Sequence, residues 1–412
     1  MNNMALVDAL TPARSMALLI KIGYSPVEVE DLHESGIGAV DFDELSEIAA
    51  IEVMGSNPPN LFSPDADWNE YTPKISARRV MLVDFYSGAV FYPAELKSFA
   101  MFGKNGLTPQ FIPPLPLSPL SLRWRFASIP VFQAHTHKEL IHAAKAFQSA
   151  YAGKNNLVFR GQTKQHFLSR EFRTTQLLYG NDSSREPNLL STAFRKQFPY
   201  VSAERHWRAI IADIDYRLTG YKDTRWWVED RMESVFIGQG MIAKWHDVST
   251  MAMGQHYGIP TYGLDVSKPF ETAWWFATHR FKEESGKAFY VPHNWDSLLL
   301  QEWPVVYVFC TGTAIGISQL DLPATRPGRQ GALFAQGGWG LHGNICADDL
   351  IAAIVLAPGV GVAPGDTVSL FPEPKDDPFY GELLGLKARL TSRHPLYEAA
   401  GLHYVPDYAY TE

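Results

Sequence analysis

Two short segments concentrate the side chains able to do chemistry. The first, Phe159-Arg160-Gly161-Gln162, closes an apolar run on an arginine, whose planar fork of donors suits a phosphate or a carboxylate. The second, Gln255-His256-Tyr257-Gly258-Ile259-Pro260-Thr261-Tyr262-Gly263-Leu264-Asp265, packs amide, imidazole, hydroxyl and carboxylate groups among breakers, immediately before an apolar helical pattern. Such a loop would present Gln255, His256, Thr261 and Asp265 to a cleft, with a helix N-terminus nearby offering unpaired N–H groups to an anion. The competing reading is local: Gln255 and His256 satisfy backbone, and Asp265 caps the turn, as polar loop clusters often do.

The elements that must hold these segments follow from periodicity and breakers. Thr136 and Glu139 have capping-box spacing and open a helix with Leu140, Ile141, Ala144, Phe147 and Tyr151 on one face and Gly153 at its C-cap. It feeds a strand over 156–161, where Gly161 would let backbone approach a ligand. Further helices are expected at about 186–198, 202–219 and 229–239. Ser267 is placed to cap, and Pro269 to open, a helix whose buried face is Phe270, Ala273, Trp274, Ala277 and Phe281. Strands are expected at 287–291, 305–310, 350–356 and 367–371, between Gly/Pro turns.

Helices early and strands late, without regular alternation, argue for a mixed α+β fold in preference to a doubly wound sheet. The chain divides into an N-terminal accessory region, 1–125, a main domain over 126–372, and a C-terminal tail, 373–412. The accessory region holds a loop-like stretch at 54–75 and a strand pair within 80–92 around Ser87-Gly88. The proline-dense stretch 109–119 marks its end. There is no internal repeat.

The two chemical segments belong to a longer ordered set. After Phe159-Arg160-Gly161 come Arg170-Glu171-Phe172, then Arg185-Glu186-Pro187-Asn188-Leu189-Leu190-Ser191 with Phe194-Arg195. The QH-x-G-x-PT segment follows, then Pro269, Ala273 and Phe276-Ala277, and finally Arg326, Gln330 and Phe334. Over about 137–345 this set resembles the FRG domain, named for its Phe-Arg-Gly triplet. The family's usual Arg-Leu-Leu-Asp-Trp-Thr run is here Tyr262-Gly263-Leu264-Asp265-Val266-Ser267. Asp265 and a hydroxyl at 267 are kept, and the arginine and tryptophan are replaced.

The order of these elements is similar to that of ADP-ribosyltransferases of the Arg-Ser-Glu type. The resemblance implies an ADP-ribosyltransferase-like split sheet with NAD, or a related nucleotide, as substrate. It places Phe159, Arg160, Gly161, Gln162, Gln255, His256, Tyr257, Thr261 and Ser267 around the dinucleotide. Arg160 would hold a phosphate or ribose, Thr261 or Ser267 would support the nicotinamide side, and Tyr257 or Trp274 would stack on a ring. Cleaving the nicotinamide–ribose bond creates oxocarbenium character, which needs a group that bonds ribose hydroxyls and stabilises positive charge. The family resemblance puts Gln330, or Gln336 in the turn Ala335-Gln336-Gly337-Gly338, where a glutamate usually stands. An amide orients a hydroxyl but carries no negative charge, so Asp265 or Glu271 would have to supply an acid. The implied catalytic set is Arg160, Gln330 and Asp265.

The same resemblance implies an effector of the bacterial toxin or phage-defence type, with a target or neutralising protein as partner. The role of residues 1–125 is left open by the sequence, with substrate specificity and binding of a neutralising partner as the two options. The alternative is a non-catalytic module that uses the same cleft to bind a nucleotide or a protein.

Composition narrows the classes further. The chain has 412 residues, 36 Lys+Arg against 44 Asp+Glu, a net charge of −8 and 46% apolar residues. That excludes global disorder and a protein that coats phosphate backbones, leaving nucleic acid only as a modified substrate. A nuclease would also need a cluster of acidic metal ligands. Cys310 and Cys346 make neither a disulfide framework nor a zinc site, which fits a reducing, cytoplasmic setting. No run reaches the ~20 apolar residues of a membrane span.

Several patterns read as structure. His135, His137 and His142 open a helix and are not expected to bind metal; Ser191-Thr192 are helix residues; Gly359-Val360-Gly361 runs into Pro364-Gly365-Asp366 where a dinucleotide fingerprint needs a helix. Trp226-Trp227, Trp274-Trp275 and Trp339 are core aromatics without a basic stripe, and Cys310 is a buried, inert thiol.

Overall fold

The structure is a computed structural model. It describes residues 12–21, 24–34, 36–41, 80–84, 90–91, 113–120, 122–124, 127–152, 157–168, 170–173, 175, 185–196, 198, 200–220, 250–311, 315–316, 323–335, 344–390, 392 and 394–410. The expected helix at 229–239, the loop at 54–75, Gly153, Trp226-Trp227, Gln336 and Trp339 lie outside the described residues.

The chain opens with α1 (Pro12–Lys21), α2 (Pro26–Glu34) and an antiparallel three-stranded sheet of β1 (Ile37–Asp41), β2 (Val80–Asp84) and β3 (Val90–Phe91). The hairpin β4 (Leu122–Trp124) and β5 (Ala127–Ile129) leads into β6 (Val131–Ala134). Then come α3 (His137–Ala150), β7 (Leu157–Gln162), α4 (Thr192–Lys196), α5 (Tyr200–Thr219), β8 (Leu264–Ser267), α6 (Phe270–Thr278), β9 (His279–Glu284), β10 (Lys287–Pro292) and β11 (Val305–Cys310). The rest is β12 (Ile315–Gly316), α7 (Arg326–Arg329), β13 (Ala332–Ala335), β14 (Leu350–Leu356), α8 (Thr367–Leu370), α9 (Pro378–Arg389) and α10 (Pro395–Ala399).

The fold is α+β. Its main sheet has seven strands in the order β12-β13-β8-β7-β11-β14-β6, antiparallel throughout except for the β14–β6 pair. Both faces are buried, which explains the unbroken apolar sequence of β11. Val306 and Val308 point to one core with Phe159, Ile354 and Leu356, while Val305, Tyr307 and Phe309 point to the other with Val158, Ala353 and Val355. Residues of α3, α5, α6 and α9 complete the first core, and Leu19, Val29 and Leu32 of α1 and α2 join the second. The described part of the N-terminal region therefore packs on the sheet, and Arg173 pairs with Asp31 at 2.7 Å.

Local chemistry explains several boundaries. α3 starts with the expected capping box: Thr136 Oγ1 accepts from Glu139 N, and the Glu139 carboxylate accepts from Thr136 N. β11 and β14 occupy the expected ranges, and β10 follows its pattern with one further residue. Four expectations need correction. Residues 367–371 are not a strand: Asp366 accepts from Ser369 N at 2.8 Å and caps α8, a signal that outweighs the β-branched pair at Thr367-Val368. The proposed helix at 186–198 is helical only over Thr192–Lys196, because the backbone before it runs extended along the chain: Leu168 N bonds Glu186 O, and buried Asn344 clamps Pro187 O and Leu189 N. Ser267 does not cap α6. It is the last residue of β8, its hydroxyl bonds the carbonyls of Phe159 and Pro269, and Pro269 occupies the N-cap. α6 also ends at Thr278, so Phe281 falls on β9 and is exposed.

Candidate active site

The site forms where the main sheet comes apart. β7 pairs with β11 along its whole length, but with β8 only through Phe159 and Ser267. Beyond that pair the ladder is interrupted at Arg160 and Asp265, and the Arg160 side chain reaches across, Nη1 donating to the Asp265 carbonyl. The guanidinium thus takes up a backbone acceptor that strand pairing leaves open.

A cleft of about 580 Å³ lies at this opening. Its floor and walls include Arg160 and Gly161 of β7, Asp265, Val266 and Ser267 of β8, and Thr272, Ala273 and Phe276 of α6, together with Gln255 and His256, which are not on a loop as expected but end a helical stretch at 250–256, the turn beginning only at Tyr257. Arg160 Nε is buried without a hydrogen-bond partner, and so are Asp265 Oδ1 and His256 Nε2. Burial pushes the Arg160 pKa down from the usual arginine value, and the Asp265 carboxylate is the main opposing influence. His256 Nδ1 lies 3.7 Å from Asp265 Oδ1. Burial lowers the pKa of this imidazole, Asp265 pulls it up, and Arg326 pushes it further down, so the ring is neutral at neutral pH. The cleft therefore presents a desolvated cation, a carboxylate and a neutral imidazole together.

The expected site residues separate into three groups. Phe159, Arg160, Gly161, Gln255, His256, Asp265, Ser267 and Gln330 line the cleft. Of these, the Ser267 hydroxyl is committed to backbone carbonyls, and Gln330 Nε2 donates to Leu370 O at 3.1 Å. Gln162, Tyr257 and Thr261 do not line it. Thr261 is fully buried and donates to the Gln255 side chain, so it holds the segment in shape from behind. Tyr257 is also fully buried, with its hydroxyl on Asp377, and Trp274 packs against His137; neither ring is placed to stack on a ligand in the cleft. Glu271 is absent from the lining, whereas Glu283 of β9 is present.

The glycines have a different job from the one the sequence suggests. A Cβ at Gly161 would stand 1.7 Å from Ala273 O and 2.6 Å from Ala277 N, both backbone atoms of α6. Gly161 lets helix and strand pack in contact, and the space beside it is taken by the helix. Gly258, at φ +101°, faces Tyr404 O and Pro406 in the same way.

That last contact introduces what sequence reasoning missed. Residues 403–406 and Tyr408, with Tyr290 and Phe371, build a further wall of the cleft. Tyr290 sits on a strand whose alternation was legible, but nothing in the pattern of 403–408 points to a cleft. Arg195 and Lys196 of α4 also line it, and the Lys196 ammonium lies 3.8 Å from the centre of the Tyr404 ring. Of the two cysteines, Cys346 is buried and Cys310 is partly exposed.

Residues 155–286 match the FRG domain. The chain carries an FRG domain. The matched stretch runs from the residues just before β7 through α6 and β9, so it supplies Arg160, the His256 segment and Asp265. The FRG domain in this chain leaves Gln330 and the wall at 403–408 to segments outside the match. Comparison with curated proteins and with solved structures gave no significant match. Among the described residues no three His, Cys, Asp or Glu side chains are grouped to hold a metal ion, and no helix is long and apolar enough to cross a membrane.

Proposed function

We propose that the cleft binds NAD or a related nucleotide and that the FRG protein cleaves the nicotinamide–ribose bond. One observation carries the reading: Arg160, a desolvated cation whose Nε has no hydrogen-bond partner, lines a cleft of about 580 Å³ that also holds an acid. A buried guanidinium without a carboxylate hydrogen bond favours an anionic ligand, and a phosphate matches its fork of donors. NAD also suits the residues at the opening of the sheet, because Arg160 and Asp265 each retain a polar atom with no protein partner.

The chemistry falls to Asp265. In the reaction the C1′–N bond breaks, its electron pair leaves with nicotinamide, and water or a target nucleophile adds to C1′ and gives up a proton. Asp265 would orient a ribose hydroxyl and stabilise the positive charge that develops. His256, neutral and 3.7 Å from Asp265, is the base available for the proton. Gln330 would contribute only an oriented amide, since its Nε2 is engaged with Leu370 O. The cellular reading is an effector that acts on NAD or transfers ADP-ribose to a target.

A second reading is a binding module that keeps the cleft without turnover. The observation in its favour is Gln330, an amide where the family resemblance places a glutamate. One experiment separates the two. Purified wild type, Arg160→Met and Asp265→Asn are incubated with NAD, nicotinamide release is followed by proton NMR, and ADP-ribose binding is titrated alongside. Turnover in the wild type that is lost in Asp265→Asn, with binding retained there and lost in Arg160→Met, is the expected pattern. Binding without turnover in the wild type selects the module, and absence of both in a folded wild type removes the nucleotide reading.

A further inference from the structure

Among the described residues, the fully buried cation outside the cleft lining is Arg326, and it touches the segment that carries His256. It stands at the start of α7. Its guanidinium carbon lies 4.4 Å from the ring centre of Tyr380, 4.6 Å from Tyr257, 5.2 Å from Tyr408 and 5.5 Å from Phe371. Nη1 donates to the His256 carbonyl at 3.1 Å, while Nε and Nη2 have no hydrogen-bond partner. Its backbone N–H donates to Asp377 Oδ2, and the same buried carboxylate accepts from the Tyr257 hydroxyl and from Tyr380 N. A charge this far from water is held by the faces of four rings and by Asp377.

What these partners have in common is their position. His256 ends the helical stretch 250–256 and Tyr257 opens the turn after it, whereas Phe371, Asp377, Tyr380 and Tyr408 belong to the C-terminal segment, beyond the residues that match the family. The Tyr380 hydroxyl donates to Pro406 O at 2.8 Å and accepts from Tyr408 N at 3.1 Å. Lys387 bonds Val405 O, and the 407–409 backbone pairs with Ala288 of β10. The wall at 403–408 is thus fastened at several points, and Arg326 joins it to the helix end that carries His256.

We propose that Arg326 is a positioning residue: it locks the C-terminal wall to the helix end that carries His256, so that the cleft is shaped to bind only when residues 371–408 are docked on it. This rests on the nucleotide reading for its ligand, and on contacts independent of that reading for the lock itself. It also assigns the C-terminal segment a part in binding that the matched stretch lacks.

The test uses the full chain with two variants. Arg326→Lys keeps a positive charge but loses the fork that reaches both the rings and the His256 carbonyl. Tyr380→Phe keeps the ring in the cage and removes only the hydroxyl that holds Pro406 and Tyr408, which guards against a variant that fails to fold. ADP-ribose affinity is titrated well below each variant's melting temperature, and limited trypsin digestion follows release of C-terminal fragments cut at Lys387 or Arg389. The expected result is about tenfold weaker ADP-ribose binding and faster fragment release in both variants. Wild-type affinity in folded variants that are merely less stable would reduce Arg326 to a structural role and overturn the proposal. If the wild type itself binds no ADP-ribose, the nucleotide reading has failed, and the trypsin arm decides alone: faster release supports the lock, and unchanged release overturns it.

Discussion

Replacing Gly161 with alanine tests whether the glycine beside the cleft arginine serves a ligand or the fold. The built Cβ would stand 1.7 Å from Ala273 O, 2.8 Å from Ala273 C and 2.6 Å from Ala277 N. Ordinary contact begins near 3.4 Å, so α6 would have to withdraw from β7 by about 1.7 Å. All three obstacles are backbone atoms of a helix that is buried through Phe270, Ala273, Trp274 and Ala277, so no side chain can swing aside. Overpacking of this kind costs about 1–3 kcal/mol and more when backbone must move, which puts the expected loss at about 3 kcal/mol or beyond. Urea unfolding monitored by tryptophan fluorescence would read it as a lower midpoint with an unchanged slope. A variant of near wild-type stability that fails to bind ADP-ribose would refute the packing argument and return Gly161 to a ligand-facing role.

Three further expectations follow. Thr136→Ala removes the side-chain half of the α3 capping box and should cost about 1 kcal/mol in the same assay, with Thr136→Ser retaining most of the stability. Burial lowers the pKa values of His166, His256, His279 and His293, so the unfolded chain binds more protons than the folded one as pH falls below the ordinary histidine value near 6.5. Their stability contribution is intact above that pH and declines below it, and melting temperature should fall between pH 7 and 5; a flat or rising profile would contradict the sign. Asp265→Asn removes the larger of the two influences that raise the His256 pKa, the other being Gln330, so an imidazole NMR titration should find the His256 midpoint lower than in the wild type.

Much of the frame was legible because it is written in local patterns. The capping box at Thr136 and Glu139, the apolar run of Val305–Cys310 and that of Leu350–Leu356 each fix an element through neighbours in sequence. The reading failed where one residue had two local uses. Ser267 carries a capping hydroxyl, yet the β8–β13 pairing holds it in a strand and turns its hydroxyl toward carbonyls. Thr367-Val368 carries β propensity, yet Asp366 supplies a cap. Tyr257 and Thr261 stand in the polar segment beside His256, but the fold faces them inward.

By itself the sequence determined that Arg160 stands in the strand before Gly161, that a polar segment and Asp265 precede a buried helix, and that these belong to an FRG domain. Those are statements about residue type and order, which short-range spacing can carry. Only the tertiary structure decided that Arg160 and Asp265 meet where two strands part, that the space beside Gly161 is filled by a helix, and that residues 403–406 and Tyr408 line the cleft with Tyr408 packed against Arg326. The contact of Arg160 with Asp265 joins positions 105 residues apart. No local period encodes such a meeting; it results from which buried faces pack together and which polar groups are left to be satisfied when they do.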